Sequence, residues 1–379
     1  MVLAITAGAL LLTATEEYLE RYHSCFLSET DPVKGHFVSC RGLLAVDQSV
    51  KQVGPYEQVA VLGAGTYGLV IKAVDSTNPQ QSPVAIKLLP RGAFVKEYRR
   101  YVLREILHHG NLKHPFIIQL REVFTTPQYL AIVMDYAQGG NLQRFLADRC
   151  PGQRLSEQQS RWLFQQLIIG LDFCHKMGVA NRDLKLDNLL LVRDPQSGNP
   201  LLRICDFGYS KHDRSSTLQT QVGTPVYMAP EVVLMSRDYD TKKADVWSCG
   251  IILYAMMFGY YPFNPKDPRL PARMMEGNLV YPSEVSTSEE CRSLIAGKSS
   301  IAGKPAGMLR PNPQQRMGVD QVLEHPWFLA DLPEGALTMN SWYLEHVAPL
   351  EDRVELVQSI VDAAAAPGRE GEPGLGCAF

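Results

Sequence analysis

Two glycines, Gly139 and Gly140, mark a change of pattern that divides the 379-residue chain into two structurally different parts. Before them, short β-branched and apolar runs separated by turns predict a small antiparallel sheet, which one helix at residues 96–109 interrupts. After them, the sequence is typical of helices, among them residues 158–177, 244–258 and 319–323. We therefore predict an α+β fold with two lobes, a small β-rich N-lobe and a larger helical C-lobe. The predicted strands are residues 59–62, 69–74, 84–89 and 129–134.

Composition narrows the classes of partner. Apolar residues make up 45% and charged residues 20%, and the net charge of -3 gives no electrostatic reason to expect binding to nucleic acid or to a membrane. The eight cysteines include no Cys-x-x-Cys pair, which favours reduced thiols and a cytoplasmic location. We expect the protein in the cytoplasm and also in the nucleus. Residues 2–12 are almost wholly apolar but too short to span a bilayer. We interpret them as a packed helix, with a cleaved targeting segment or a misassigned start as alternatives.

A glycine-rich stretch lies between the first two predicted strands. Its pattern is Gly-x-Gly-x-x-Gly-x-Val, in which missing side chains let backbone N–H groups approach phosphates closely. Alone this pattern is a weak signal, since an ordinary glycine turn or a dinucleotide-binding turn shares it. A dinucleotide site needs a helix next, whereas residues 69–73 continue as a strand. The candidate phosphate-binding residues are Leu62, Gly63, Ala64, Gly65, Thr66, Tyr67 and Gly68.

Lys87 ends the segment Val-Ala-Ile-Lys of the third predicted strand and is a candidate ligand for the α- and β-phosphates of a nucleotide. An ammonium group that points into a cleft needs a counter-charge. Glu105 on the predicted helix is the candidate partner, and Glu97 is less favoured because it lies two turns earlier. An exposed lysine without a function is the alternative interpretation.

The densest group of polar side chains is Ala-Asn-Arg-Asp-Leu-Lys-Leu-Asp-Asn, residues 180–188. A carboxylate, a lysine and a carboxamide within six residues are hard to explain by structure alone. Asp183 can orient and deprotonate an attacking hydroxyl, Lys185 can neutralise a moving phosphoryl group, and Asn188 can hold a metal ion. Asp206, in Asp-Phe-Gly, offers a second metal ligand, and such hard oxygen ligands suit Mg²⁺.

In this order and spacing, the motifs resemble the eukaryotic protein kinase family over residues 56–328. Ala-Pro-Glu at residues 229–231 and Asp-Val-Trp-Ser-Cys-Gly at residues 245–250 extend the resemblance. It implies the two-lobed kinase fold, ATP and Mg²⁺ in the cleft, and proteins as substrates. Lys185 and Gly-Thr-Pro at residues 223–225 favour serine/threonine over tyrosine specificity.

The resemblance implies roles for further residues. A hinge at residues 135–137 would follow a gatekeeper Met134, and Thr224 would shape the floor beneath the substrate hydroxyl. Glu231 would form a structural ion pair with Arg316. The residues implied to enclose adenine or to contact it through the hinge are Val70, Ala85, Met134, Asp135, Ala137 and Leu190.

Regulation is predicted in the loop at residues 210–224. Arg182, beside the catalytic aspartate, needs an anion to organise it, and a phosphorylated loop residue supplies one. Thr220 is the first candidate for that residue and Ser216 the second. The implied partners are protein substrates, an upstream kinase and a phosphatase, and we expect the protein to be a monomer.

Several segments are similar to one subfamily, the plant and green-algal kinases of the second group related to the sucrose-non-fermenting kinase, which act in osmotic and nutrient stress. They include Ile-Cys-Asp-Phe-Gly-Tyr-Ser-Lys at residues 204–211 and His-Pro-Trp-Phe-Leu at residues 325–329. Residues 351–364 resemble the regulatory helix of this group, and we predict that their apolar stripe docks on the N-lobe. Packing on the C-lobe is the alternative.

Two positions depart from the kinase pattern. Asn181 replaces the usual histidine before Arg-Asp, which predicts a less stable active conformation, and Asn141 replaces a glutamate typical of kinases that prefer arginine near the target. Asn181 alone supports a rival interpretation, a nucleotide-binding pseudokinase scaffold. A second rival, a small-molecule kinase, is disfavoured by residues 223–231, which resemble a peptide-docking platform.

The resulting organisation has a kinase domain between two extensions. Residues 298–307 contain the second copy of a repeated Ala-Gly-Lys triplet and indicate either a surface insertion in this domain or a gene-model error. The predicted segments are an N-terminal extension at 1–55, an N-lobe at 56–134, the hinge, a C-lobe at 138–328, a regulatory tail at 329–366 and a disordered tail at 367–379.

Overall fold

The computed structural model describes residues 51–379 except 66–67, 79, 81, 195–198, 208–224, 235, 237–238, 298–305, 347–352 and 373. The described part forms a strand-rich lobe followed by a helical lobe, which confirms the predicted α+β fold. None of the helices within this part is both long and apolar enough to cross a membrane.

The N-lobe contains the strands β1 (Gln52–Val53), β2 (Tyr56–Gly65), β3 (Gly68–Asp75), β4 (Val84–Pro90), β5 (Leu120–Thr125) and β6 (Tyr129–Asp135) and the helices α1 (Ala93–Glu97) and α2 (Arg99–Asn111). The strands form an antiparallel sheet in the order β1-β2-β3-β4-β6-β5. The helix predicted at residues 96–109 is thus two helices, because the backbone of Tyr98 leaves the helical region with φ of -100° and ψ of 16°.

Side chains alternate between the two faces of β3 and β4, as the two-residue period of a strand requires. Leu69 and Ile86 are buried on one face, whereas Val70, Ala85 and Lys87 are half-buried on the other. The core residues and the candidate site residues of these strands therefore lie on opposite faces of the sheet.

The C-lobe contains the helices α3 (Leu142–Arg149), α4 (Glu157–Lys176), α5 (Pro230–Val233), α6 (Thr241–Phe258), α7 (Leu270–Glu276), α8 (Glu289–Ala296), α9 (Val319–Leu323), α10 (Pro326–Leu329) and α11 (Met339–His346) and the hairpin of β7 (Leu189–Arg193) and β8 (Pro200–Ile204). Short 3-10 turns lie at Pro151–Gln153, Leu186–Asn188, Pro225–Tyr227 and Pro313–Gln315.

The two long helices α4 and α6 form the centre of the C-lobe core. At the start of α4, Ser156 and Gln159 exchange side-chain-to-backbone hydrogen bonds in a capping box. Helix α6 follows Asp240, whose carboxylate caps the first turn, and ends before Gly259, which has φ of 80°. Its residues from Ala244 onward are buried on every side, as expected for a core helix. These helices hold the loops that carry residues 180–188 and Asp206.

The regulatory helix predicted at residues 351–364 is α12 (Val354–Ala364), and it packs on the N-lobe. The backbone N–H of Gly92 donates to the Ala364 carbonyl oxygen at 2.9 Å, and Arg99 of α2 forms an ion pair with Asp362. The N-lobe docking prediction is confirmed, and the C-lobe alternative is wrong. The stripe residues fully buried against α2 and β5 are Val357, Ile360, Val361 and Ala364.

The last described element, β9 (Gly376–Ala378), pairs antiparallel with the free edge of β5 and extends the N-lobe sheet to seven strands. The prediction of a disordered tail at residues 367–379 is wrong for this strand. Its glycines signalled flexibility, but here they permit close approach, since a Cβ at Gly374 would lie 2.6 Å from the Thr125 carbonyl oxygen.

Most of the predicted insertion at residues 298–307 lies outside the described residues. On its two sides, a Cβ at Gly297 would lie 2.6 Å from the carbonyl carbon of Ala306, so these residues are in contact. Just beyond, the Met308 N–H donates to the Leu294 carbonyl oxygen at 3.0 Å. The chain leaves and returns at one point, as an insertion requires, and the insertion itself stays a prediction.

Candidate active site

Lys87 on β4 and Glu105 on α2 form a buried ion pair, the pair that the sequence predicted. The Lys87 Nζ and Glu105 Oε1 atoms are 2.7 Å apart. Burial alone would lower the pKa of Lys87, but attraction to Glu105 and Asp206 outweighs burial and raises that pKa. Burial raises the pKa of Glu105 to about 7, and Lys87 offsets only part of the rise. The second oxygen of Glu105, Oε2, is buried and has no hydrogen-bond partner in the described chain.

The loop that ends in the 3-10 turn Leu186–Asn188 brings Asp183, Lys185 and Asn188 into contact. Lys185 Nζ lies 2.6 Å from Asp183 Oδ2, and Asn188 Nδ2 donates to the carbonyl oxygen and Oδ2 of Asp183 at 2.8 and 3.1 Å. Burial raises the pKa of Asp183, and attraction to Lys185 opposes the rise. Because Asn188 uses its NH₂ group toward Asp183, its amide oxygen is the atom that it can offer to a cation.

Asp206 follows β8 in a left-handed conformation with φ of 65°, which is uncommon for a residue with a side chain. Two hydrogen bonds connect this segment to the loop at residues 180–188: the Cys205 N–H donates to the Asn188 carbonyl oxygen at 3.0 Å, and Asn181 Nδ2 donates to the Asp206 carbonyl oxygen at 3.3 Å. The Oδ1 atom of Asp206 is buried without a hydrogen-bond partner among the described residues. A buried carboxylate oxygen with no donor suits a cation ligand.

Asp245 on α6 fixes the backbone that precedes Asp183. It is 1% exposed and accepts hydrogen bonds from the N–H groups of Asn181 and Arg182 at 2.9 and 2.7 Å. His175 Nε2 lies 2.8 Å from the same carboxylate. Arg182 has φ of 64°, so Asp245 stabilises a strained turn beside the catalytic aspartate.

The side chain of Asn181 connects the loop that carries Asp183 to the segment that carries Asp206. Its side chain is 1% exposed, its Oδ1 accepts from the Asp183 N–H at 3.2 Å, and its Nδ2 donates to the Asp206 carbonyl oxygen. The sequence interpretation considered only the size of this residue and missed its two hydrogen bonds. Its effect on the active conformation stays a prediction.

Phe207, next to Asp206, packs on His109 of α2 with ring centroids 5.3 Å apart. Burial lowers the pKa of His109 to about 4, so the ring is neutral at physiological pH, and its Nε2 lies 2.6 Å from the Ile118 carbonyl oxygen. The sequence analysis missed His109. The available signal was its spacing, because residues 105 and 109 share one face of a helix.

The glycine-rich stretch joins β2 and β3, so the strand-turn-strand context predicted for it is present. Gly68 has φ of 149°, and a Cβ there would lie 2.1 Å from the Leu88 carbonyl oxygen, which only a glycine avoids. Leu62 and Gly63 belong to β2, and Thr66 and Tyr67 lie outside the described residues.

The residues implied to enclose adenine are brought together in two groups. Met134 and Leu190 pack against the small apolar cluster that contains Ala137. Val70 and Ala85 lie on the face of the sheet that carries Lys87.

Three further predicted residues, Thr224, Thr220 and Ser216, lie outside the described residues.

Asp135, at the end of β6, carries a bridge that the sequence analysis missed. Its carboxylate accepts from Arg121 Nε and Arg203 Nη1, each at 2.8 Å. The first residue of the hinge is therefore held by two cations.

In the C-lobe, Arg316 and Glu231 form the predicted ion pair, with contacts of 2.7 and 2.8 Å.

A magnesium ion would fit this donor set without a dedicated cage. Within the described residues no three His, Cys, Asp or Glu side chains are grouped to hold a metal ion. Mg²⁺ needs only one or two protein oxygens in addition to phosphates and water. Asn188 and the unpartnered oxygen of Asp206 supply such oxygens.

A glycine-rich strand pair, a buried lysine–glutamate pair and a contiguous group of Asp, Lys and Asn between two lobes define a protein kinase. Residues 56–328 match the family described as "Protein kinase domain", and the chain belongs to this family. It is a serine/threonine protein kinase, a transferase that acts on proteins, and not the pseudokinase scaffold of the rival interpretation.

Curated relatives from plants support this assignment and the predicted subfamily resemblance. The chain is 41% identical to serine/threonine-protein kinase SAPK7 of Oryza sativa subsp. japonica over 334 residues, which cover 85% of this chain and 86% of the relative. It is 40% identical to serine/threonine-protein kinase SRK2E of Arabidopsis thaliana over 82% of this chain and 83% of the relative. With SRK2H of the same plant the identity is 43%, over 74% and 73% of the two chains.

Proposed function

We propose that this kinase transfers the γ-phosphoryl group of ATP, bound with Mg²⁺, to serine or threonine hydroxyls of proteins. Asp183 orients the hydroxyl and accepts its proton, and Lys185 stabilises the charge that develops on the phosphoryl group. The observation that carries the proposal is the contact of Asp183 with Lys185 and Asn188 at 2.6 and 3.1 Å. This contact holds the base and the cation in one place before any substrate arrives.

The nucleotide would lie between the two lobes. Lys87, oriented by Glu105, binds the α- and β-phosphates, and the backbone from Leu62 to Gly68 covers the phosphates from above. The adenine ring would lie among the side chains of Val70, Ala85, Met134, Ala137 and Leu190 and beside the hinge backbone at Asp135. Mg²⁺, held by Asn188 and Asp206, would neutralise phosphate charge.

Regulation would act through the loop that contains Thr220 and Ser216. Phosphorylation of Thr220, or of Ser216, by an upstream kinase adds an anion that the exposed Arg182 can bind. Thr224 completes the floor for the substrate hydroxyl. A phosphatase would reverse the modification.

We assign the protein to osmotic- or nutrient-stress signalling as a monomer in the cytoplasm, and also in the nucleus. The support is its similarity to the plant kinases SAPK7 and SRK2E and its balanced charge. That balance gives no reason to expect nucleic acid or a membrane as a partner.

The proposed roles are tested by separating chemistry from nucleotide binding. Asp183→Ala should lower the rate of radiolabel transfer to a protein substrate by about 10²- to 10⁴-fold, because a positioned base is lost, while ATP affinity stays near the wild-type value. Asp206→Ala should instead weaken the affinity for Mg-ATP. Asp148→Ala is the matched control, since it removes an exposed carboxylate of α3. Transfer at the wild-type rate by Asp183→Ala refutes the mechanism.

A further inference from the structure

Three charged side chains form a bridge behind the nucleotide cleft. Arg121 comes from β5 of the N-lobe, Asp135 ends β6 as the first hinge residue, and Arg203 comes from β8 of the C-lobe. Arg121 Nε lies 2.8 Å from Asp135 Oδ1, and Arg203 Nη1 lies 2.8 Å from Asp135 Oδ2. Each carboxylate oxygen thus binds one guanidinium, and the two lobes are joined through one side chain of the hinge.

The Asp135–Arg203 half of this bridge is more buried than a surface ion pair, whereas Arg121 is 38% exposed. The side chains of Asp135 and Arg203 are 20% and 25% exposed, so solvent and salt screen their attraction only in part. The Nε atom of Arg203 is buried with no hydrogen-bond partner in the described chain. The geometry that places Nη1 of Arg203 on Asp135 therefore leaves the buried Nε donor without a partner in the described chain, at a cost in free energy.

The strand that carries Arg203 leads directly into the proposed nucleotide site. Ile204 follows on β8, its N–H donates to the Phe116 carbonyl oxygen at 2.9 Å, and its carbonyl oxygen accepts from Ile118 at 3.0 Å. Asp206 comes two residues later. These two hydrogen bonds fix the position of the segment that carries Asp206. If the hinge moved away from Arg203, the distance between the hinge, which contacts adenine, and the metal ligand Asp206 would therefore change.

We propose that Arg203 and Arg121 are positioning residues for the nucleotide, which act through Asp135 by holding the hinge at a fixed place between the lobes. The inference rests on the proposed nucleotide site. Loss of the bridge leaves the chemistry of Asp183 intact but lets the hinge adopt other positions. The fraction of molecules competent to bind ATP then falls, and the apparent Kd rises by the inverse of that fraction.

The test compares three substitutions. Arg203→Met removes the charge and keeps much of the apolar stem, Arg203→Lys keeps the charge without the rigid fork, and Arg193→Met removes an exposed arginine of the neighbouring strand β7. We expect Arg203→Met to raise the KM for ATP by about fivefold or more with kcat at saturating ATP unchanged. Arg203→Lys should recover a large part of the affinity, and Arg193→Met should match the wild type.

Direct binding separates this inference from the proposed function. ATP affinity is measured by calorimetry in the Asp183→Ala background, where turnover should be about 10²- to 10⁴-fold slower, with Lys87→Met as the reference for a damaged site. If Lys87→Met weakens binding and Arg203→Met does not, the bridge has no positioning role and the inference fails alone. If neither substitution weakens binding, the nucleotide site itself is misassigned.

Two further readouts exclude a purely structural role. A purely structural Arg203 would lower the thermal midpoint in Arg203→Met without changing the ATP affinity of the folded enzyme, and that outcome overturns the inference. A higher kcat in Arg203→Met also overturns it, because the bridge would then oppose activity. Strong coupling between Arg203→Met and Arg121→Met in a double-mutant cycle of ATP affinity supports it, since both cations act on one carboxylate.

Discussion

Two buried ion pairs in this kinase, one in each lobe, differ in how many of their hydrogen-bonding atoms have a partner. In the C-lobe, Arg316 is 1% exposed and binds both carboxylate oxygens of Glu231. Its remaining donors reach the carbonyl oxygens of Arg310, Lys243 and Pro311 at 2.9 to 3.1 Å. In the N-lobe, by contrast, the glutamate that pairs with Lys87 leaves one buried oxygen without a partner in the described residues.

The difference separates a structural pair from a functional one. A buried pair whose donors and acceptors are all used has one favourable arrangement, and it fixes the segments that it joins. A pair with an unused buried oxygen is tolerated where a ligand or a conformational change uses the site. The C-lobe pair should therefore govern folding and the N-lobe pair activity, and the following substitutions test that division.

The largest expected effect is on stability, from Arg316→Met. Removing one partner leaves a buried, unpaired Glu231 carboxylate, which costs about 3 to 5 kcal/mol of unfolding free energy. Chemical denaturation followed by fluorescence measures this loss. Arg144→Met is the control, because Arg144 pairs with Asp148 in solvent and should change stability by about 1 kcal/mol or less. Equal effects of the two substitutions would contradict the division.

The second effect is on catalysis, from Lys87→Met. The substitution removes a preorganised cation from the proposed phosphate site, so kcat/KM should fall by about 10²- to 10³-fold. The unfolding free energy should change far less than in Arg316→Met, since Glu105, whose pKa burial already raises to about 7, can take up a proton and become neutral when Lys87 is lost. Transfer assays and denaturation curves on the same preparation check both parts. A stability loss as large as that of Arg316→Met would mean that this pair is structural.

The third effect concerns the helix that backs Glu105. Val357→Asp puts a charge into the fully buried stripe of α12, which should loosen α2 and lower kcat about tenfold, with a smaller change in ATP affinity. Leu356→Asp is a matched control on the same helix, because Leu356 is 41% exposed. Deletion of residues 350–379 should reproduce the loss. Full specific activity of the truncated enzyme would refute the proposal that α12 braces the Lys87 to Glu105 pair.

The smallest effect is a pH dependence. Because burial raises the pKa of Glu105 to about 7, this carboxyl takes up a proton as the pH falls below 7, and kcat/KM of the free enzyme should decline there. Between its ordinary pKa of 4.5 and 7, the folded state binds more protons than the unfolded chain. The contribution of Glu105 to stability therefore decreases as the pH rises through this window. Glu105→Gln should abolish this slope in pH-dependent denaturation, and an unchanged slope would assign it to another group.

Sequence reasoning located the parts of the site that are local in the chain. The spacing of Asp183, Lys185 and Asn188 within six residues, and the apolar stripe of α12, predicted contacts that the structure contains. Motif order supplied one distant pair, Lys87 with Glu105. Such predictions work because the same few residues carry the backbone geometry and the chemistry.

The contacts that sequence reasoning missed join residues that are far apart in the chain. Asp245 holds Arg182 from 63 residues away, and Asp135 binds Arg203 across 68 residues. No local period or motif marks which distant charges will meet, because the packing of separate helices and strands in the folded chain decides it. The tail glycines misled for another reason, since glycine permits close approach as well as flexibility, and its sequence context does not distinguish the two.

The pairing of β9 with β5 has a consequence for the order in which the protein is made. Leu375 and Thr125, which meet at this edge, are 250 residues apart, so the whole C-lobe is synthesised between them. At about 5 to 20 residues per second, the β5 edge waits roughly 10 to 50 s on the ribosome for its last strand. Its unpaired N–H and C=O groups are open to other chains during that time. The nascent N-lobe should therefore need a chaperone longer than the C-lobe does, although it emerges first.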